Sequence, residues 1–172
     1  MNIQLGVYDP FSAAWRDEYY PLDLPLEWRL DYLANAYRVC VIPWRQLDGA
    51  VLECPPGLRA FVAVPCSVMS PTSPGSSWVG CASLVFEPDL DAPPPIEVTH
   101  CATPIVDGWR LAYEGRWLVK LAPPAPFELR GLRRRIEALA AEMPDDAEVD
   151  LTIAGTPHQL EQIKIMLALM GY

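Results

Sequence analysis

Residues 38–42 read Arg38-Val39-Cys40-Val41-Ile42, and they follow a stretch in which Leu26, Leu30, Leu33 and Tyr37 step by four, three and four. That stepping is one face of an amphipathic helix, and Pro25 suits its first turn. The nearly unbroken apolar run behind it, closed by Pro43, is the signature of a strand buried on both faces. Ile3 to Tyr8, ended by Asp9-Pro10, supplies a strand ahead of the helix. Strand, helix and doubly buried strand in this order predict a β-α-β unit with parallel neighbours.

The rest of the chain has to be compatible with such a sheet. Leu58 to Val64 reads as a strand between Pro55-Pro56-Gly57 and Pro65, and Trp78 to Phe86 as another. Ile96 to Cys101, Trp109 to Tyr113 and Trp117 to Leu121 are strand-like, with Glu114-Gly115-Arg116 as a tight hairpin turn between the last two. That β-hairpin near 109–121 is antiparallel by construction. Leu129, Leu132, Ile136, Leu139 and Met143 mark a strong amphipathic helix. Val149 to Ala154 is a short strand, and Thr156-Pro157 caps a last helix whose body, Leu160 to Met170, is apolar nearly all round. Such a helix is either wedged between layers or covered by a partner subunit.

Prolines, 19 in all, punctuate the chain. Ser70 to Ser77 is a loop by composition, and Asp89 to Pro95 a stiff extended connector. Neither is long enough for an interdomain linker, and there is no internal repeat, so one α/β domain over residues 1–172 is expected. A chain of this length buries about 70% of its unfolded surface.

A net charge of −9 repels phosphate backbones and anionic lipid, which argues against nucleic acid and membrane partners. The local exception is Arg130, Arg133, Arg134 and Arg135, read as a solvated helix face. No apolar run approaches the roughly 20 residues of a membrane span. The N-terminus lacks a basic region followed by an apolar one, so a cytoplasmic location is expected. Five cysteines, Cys40, Cys54, Cys66, Cys81 and Cys101, show no zinc spacing and read as reduced thiols. Neither a metal nor a cofactor is expected, since the common phosphate-loop, dinucleotide, zinc-protease and serine-nucleophile motifs are missing.

Three stretches resemble the YecE-like family of uncharacterised β/α-barrel proteins. Trp15, then Tyr20-Pro21 through Glu27-Trp28 to Tyr32-Leu33-Ala34, looks like that family's first loop and helix. Cys54-Pro55-Pro56-Gly57-Leu58 resembles its lead-in to the third strand. Trp117 to Glu142 and Val149 to Met170 follow the order of its last two strand–helix pairs. The likeness covers about half the chain. It implies a TIM-barrel-like α/β sheet, but a complete barrel takes about 250 residues. A reduced or irregular barrel, with few helices in the middle, is therefore expected. The family's second strand carries a glutamate and an asparagine where this chain has Cys40 and Ile42, and its last strand ends in asparagines where this chain has Ala154-Gly155. The resemblance thus implies a relative without the family's polar centre, serving as a ligand-binding or scaffold domain.

Ligands of barrels and open parallel sheets collect beyond the carboxyl ends of the strands. The residues there are Tyr8, Asp9, Trp44, Arg45, Cys66, Ser67 and Glu87, with Trp15 in an aromatic and charged loop nearby. A carboxylate, an arginine and aromatic walls suit a small anionic or sugar-like molecule. The alternatives are a small-molecule hydrolase using Asp9, Arg45 and Glu87, and a homodimer formed through the C-terminal helix. His100, beside Cys101, reads as structural, and His158 as an exposed first-turn residue of the last helix.

Overall fold

The structure is a computed structural model that describes residues 1–47, 53–65, 82–87 and 102–172. Eight strands form one sheet: β1 (Asn2–Tyr8), β2 (Val39–Pro43), β3 (Arg59–Pro65), β4 (Ala82–Glu87), β5 (Thr103–Ile105), β6 (Gly108–Tyr113), β7 (Arg116–Leu121) and β8 (Glu148–Ile153). Their order is β4-β3-β2-β1-β8-β7-β6-β5. The strands from β4 to β7 along that order are parallel to their neighbours, and β5 and β6 add antiparallel pairs. The first and last strands are neighbours, so both ends of the chain lie in one sheet.

The sheet curls into a half-barrel. Phe61 of β3 and Tyr113 of β6 meet edge to face at 5.0 Å, although four strands separate them along the sheet. Ala102, just ahead of β5, donates its amide to Phe86 O of β4 at 3.0 Å, tying the two edges together. Two faces result. The concave one holds Val39, Val41, Phe61, Val85, Leu111 and Leu118. The convex one is covered by the helices.

These are α1 (Ala13–Glu18), α2 (Arg29–Ala34, preceded by a 3₁₀ turn at Leu26–Trp28), α3 (Leu129–Glu142) and α4 (Pro157–Met170). Trp15, Leu30, Leu33 and Leu160 pack over Val7, Cys40, Ile42 and Val62. Leu132, Ile136 and Leu139 of α3, with Ile163 and Leu167 of α4, pack over Leu5, Val119, Leu151 and Ile153. Between β3 and α3 the described residues contain no helix.

The phase of β2 corrects one expectation. Because alternate residues of a strand point to opposite faces, Cys40 and Ile42 face the helices while Val39 and Val41 face the interior. Their neutrality therefore says nothing about the polarity of the interior.

Other boundaries differ in instructive ways. The aromatic segment from Trp15, read as a loop, forms α1, with Trp15 fully buried and its Nε1 donating to Gly155 O at 2.8 Å. The helix read as running to Tyr37 ends at Ala34. There the Asn35 amide binds the carbonyls of Asp31 and Tyr32, offering the backbone an alternative to another turn. β5 was not anticipated. The strand expected at 96–101, the loop at 70–77 and the connector at 89–95 lie outside the described residues. The last helix is capped as expected: Gln159 N donates to Thr156 Oγ1 at 3.3 Å, and Thr156 N to Gln159 Oε1 at 2.9 Å. It buries one side only, leaving Ile165 and Leu169 outward at 62% and 85% exposure.

Candidate functional site

At the carboxyl ends of the parallel strands, strand alternation turns several polar residues inward. Tyr8 closes β1, Glu87 closes β4 and Lys120 lies one residue from the end of β7. Because β6 runs the other way, its second residue, Trp109, reaches the same end and pairs in register with Lys120. Glu87 gathers the group. Its Oε1 accepts from Tyr8 Oη at 2.9 Å, from Trp109 Nε1 at 2.9 Å and from Lys120 Nζ at 2.8 Å. The Lys120 ammonium also lies 3.8 Å from the Tyr8 ring centroid, a cation–π contact.

Gly108 makes this approach of β6 to β7 feasible, since a Cβ there would fall 1.9 Å from Lys120 O. Burial holds the Tyr8 hydroxyl far above its ordinary range, and the charge of Glu87 and its hydrogen bond add to this. Tyr8 is therefore a donor at every ordinary pH.

Asp9 follows directly and has a left-handed backbone, φ 60°, which an aspartate tolerates better than most residues. Its Oδ2 accepts from Gln46 Nε2 at 3.4 Å, while the buried Oδ1 has no hydrogen-bond partner. Burial raises its pKa, an effect that Gln46, the nearby amides of Phe11 and Ser12 and the charge of Lys120 only partly oppose.

A second polar layer closes the opposite end of the interior. Asp150, with no exposure at all, accepts from Arg59 Nε and Nη2 at 2.9 and 2.6 Å, from Arg116 Nη2 at 3.0 Å and from the Tyr113 hydroxyl. Burial alone would raise its pKa. The hydrogen bonds from Arg59, Arg116 and Tyr113 together outweigh burial and hold it below the usual carboxylate range. Tyr113 is pushed up to about 12, first by its own burial and then by Asp150. Arg116 also pairs with Glu148. Between the two polar layers lies the apolar belt of Val39, Phe61, Leu111 and Leu118.

Of the residues anticipated at the site, Tyr8, Asp9 and Glu87 come together at this mouth. Trp15 does not, being buried under the helices. Trp44 and Arg45 form a 3₁₀ turn after β2, where the exposed Arg45 guanidinium stacks 5.9 Å from the Trp44 ring centroid and bonds to neither carboxylate. Cys66, Ser67 and His100 lie outside the described residues. His158 is exposed beside Gln162, at 3.1 Å. Lys120 and Trp109 were missed, and the Asp150 layer with them. Among the described residues, no group of three His, Cys, Asp or Glu side chains is placed to hold a metal. No described helix is long and apolar enough to cross a membrane.

Fold and site together define a curled, mostly parallel α/β sheet with a carboxylate–lysine–aromatic cluster at its strand ends. Comparison with protein-family models, curated proteins and solved structures finds no match to this chain.

Proposed function

We propose that the chain is a shortened relative of the YecE-like barrels, with a reduced TIM-barrel-like sheet, and that it binds a small sugar-like molecule at the strand-end mouth. The convergence of Tyr8, Trp109 and Lys120 on one carboxylate oxygen of Glu87 carries this reading. Open parallel sheets and barrels hold ligands at that end. A polyol suits the chemistry, because hydroxyls both donate to carboxylates and accept from an ammonium, and pyranose faces lie flat on aromatic rings. A small anion suits it less, since Asp9 and Glu87 outnumber Lys120 there.

The test is a thermal-shift panel of neutral sugars and polyols beside small carboxylates and phosphates. A ligand of the native state raises the midpoint by mass action. We expect a sugar or polyol to do so in the parent chain and not in Glu87→Gln. Stabilisation by anions alone, or a shift that survives Glu87→Gln, would overturn the reading.

One observation favours a second reading, a hydrolase. Burial raises the pKa of Asp9, the direction a general acid needs, and Asp9 follows the Tyr8 that binds Glu87. Arg45 has no part in that version, and Lys120 takes its place as the cation. Hydrolysis of chromogenic aryl glycosides that vanishes in Asp9→Asn would establish it. Turnover unchanged in that variant would end it.

A further inference from the structure

Of the thirteen basic Lys and Arg residues in this chain, only Lys120 and Lys164 are lysines. Among the described residues every other salt bridge uses arginine, on the surface and at the buried Asp150 alike. The single lysine pair is Lys120–Glu87 at the mouth. Arginine is the better structural cation, because its planar fork makes two bonds and it never gives up its proton. Lysine has one chemical capacity arginine lacks. Once deprotonated, its amine is a nucleophile towards carbonyl carbon.

The surroundings of Lys120 fit that capacity. Glu87 Oε1, 2.8 Å from Nζ, is placed to take a proton from the ammonium and later return it. The Tyr8 hydroxyl, 2.9 Å from the same oxygen, is a second donor. The Tyr8 ring and Trp109 flank the amine, and the Lys120 side chain keeps 21% exposure, so it is reachable from the mouth.

We propose that Lys120 captures the carbonyl carbon of a small aldehyde or ketone, such as an open-chain sugar or a keto acid, as a Schiff base. The step balances within the cluster. Lys120 passes one proton to Glu87, and the neutral amine adds to the carbonyl carbon, forming the C–N bond. A proton moves from nitrogen to the alkoxide, giving the carbinolamine. Glu87 then returns its proton to the hydroxyl, the C–O bond breaks, and water leaves the protonated imine. No oxidant or metal enters. This rests on the mouth being the ligand site, and it deepens that reading by naming the reactive group of the ligand.

The experiment is reductive trapping of the intact protein. Glyceraldehyde, dihydroxyacetone and pyruvate are each incubated with it and sodium cyanoborohydride, and adducts are located by peptide mass mapping. Lys164 is the internal control, being exposed on α4. We expect one of the three probes to modify Lys120 about tenfold or more faster than Lys164, in spite of the lower exposure of Lys120. Lys120→Arg removes that adduct and leaves the Lys164 rate unchanged. Glu87→Gln slows Lys120 labelling by about tenfold or more. Labelling of Lys164 as fast as Lys120 by all three probes overturns the proposal, and that comparison needs no variant to fold. So does an unchanged Lys120 rate in Glu87→Gln. Thermal shifts without the reductant separate the two claims: a sugar that stabilises the protein but leaves no Lys120 adduct overturns covalent capture while the mouth stands as the ligand site.

Discussion

Asp150 has no contact with water, and three donors hold it ionised. Its pKa is lower in the folded chain than in the unfolded one, so the folded chain binds fewer protons as the medium turns acid. The stabilisation is therefore complete above the ordinary carboxylate value of about 3.9 and is lost as pH falls from there through the lowered folded value. Asp150→Asn leaves Arg59 without its charge partner and Arg116 with Glu148 alone, and we expect a loss of about 3 kcal/mol in urea unfolding at neutral pH. The acid slope of stability in that window should flatten as well. Asp9 behaves oppositely. Its folded pKa is raised, so the ionised form costs stability at neutral pH, and that cost disappears as pH falls below the unfolded value. Asp9→Asn, which suits the left-handed backbone and still accepts from Gln46, should raise the thermal midpoint at pH 7 and have no such effect near pH 3. A midpoint that falls at pH 7 would contradict this. Tyr8, Asp9 and Glu87 were legible in the sequence because each ends a recognisable strand. Lys120 and Asp150 were not. Each alternates with apolar neighbours inside a strand, and one-dimensional alternation cannot separate a polar barrel interior from a solvated face.

At the scale of elements, local chemistry was most legible where a turn or a period dictates one outcome. Glu114-Gly115 is such a place, with φ angles of 43° and 77° that match the doubly left-handed turn favoured by two-residue hairpins. A Cβ on Gly115 would meet nothing within 4 Å, so Gly115→Ala costs only backbone strain, about 1 kcal/mol. Gly108, in the same hairpin, differs in kind. A Cβ there strikes Lys120 O at 1.9 Å, and Gly108→Ala should force β6 from β7, with a loss of about 1–3 kcal/mol or more and weakened ligand shifts at the mouth. Equal effects of the two variants in chemical unfolding would show that this close approach is not needed. The 3.6-residue period placed α3, and the Thr156-Pro157 start signal placed α4, within a residue or two. It failed for α1, where six residues are too few to show a period, and the aromatic-charged mixture of Trp15 to Tyr20 reads as a loop. β5, only three residues long and largely exposed, left no signal of its own.

The molecule as a whole has an interior with two polar ends and an apolar waist, and its two halves answer to different demands. Six residue steps along β3 lead from Arg59, which binds Asp150, to Pro65, which pairs in register with Glu87. At about 3.3 Å per residue the two clusters are about 20 Å apart along the strand. Phe61, Val39, Leu111 and Leu118 fill the space between with side chains that carry no hydrogen-bonded path. The lower layer ties β3, β7 and β8 through a carboxylate with no access to water, so removing its charge cannot be repaired by hydration. The upper layer opens at the mouth, where solvent reaches Lys120 and Glu87 and takes up much of the cost of a lost partner. Glu87→Gln should therefore change unfolding free energy far less than Asp150→Asn, and the double variant should equal the two single effects within about 0.5 kcal/mol. Ligand shifts and Lys120 trapping should respond in the reverse order, strongly to Glu87→Gln and weakly to Asp150→Asn measured below its own unfolding midpoint. A coupling well beyond that limit would mean that the interior acts as one network from end to end. The mouth would then be a support of the fold, and its four converging side chains would no longer stand as an argument for a ligand.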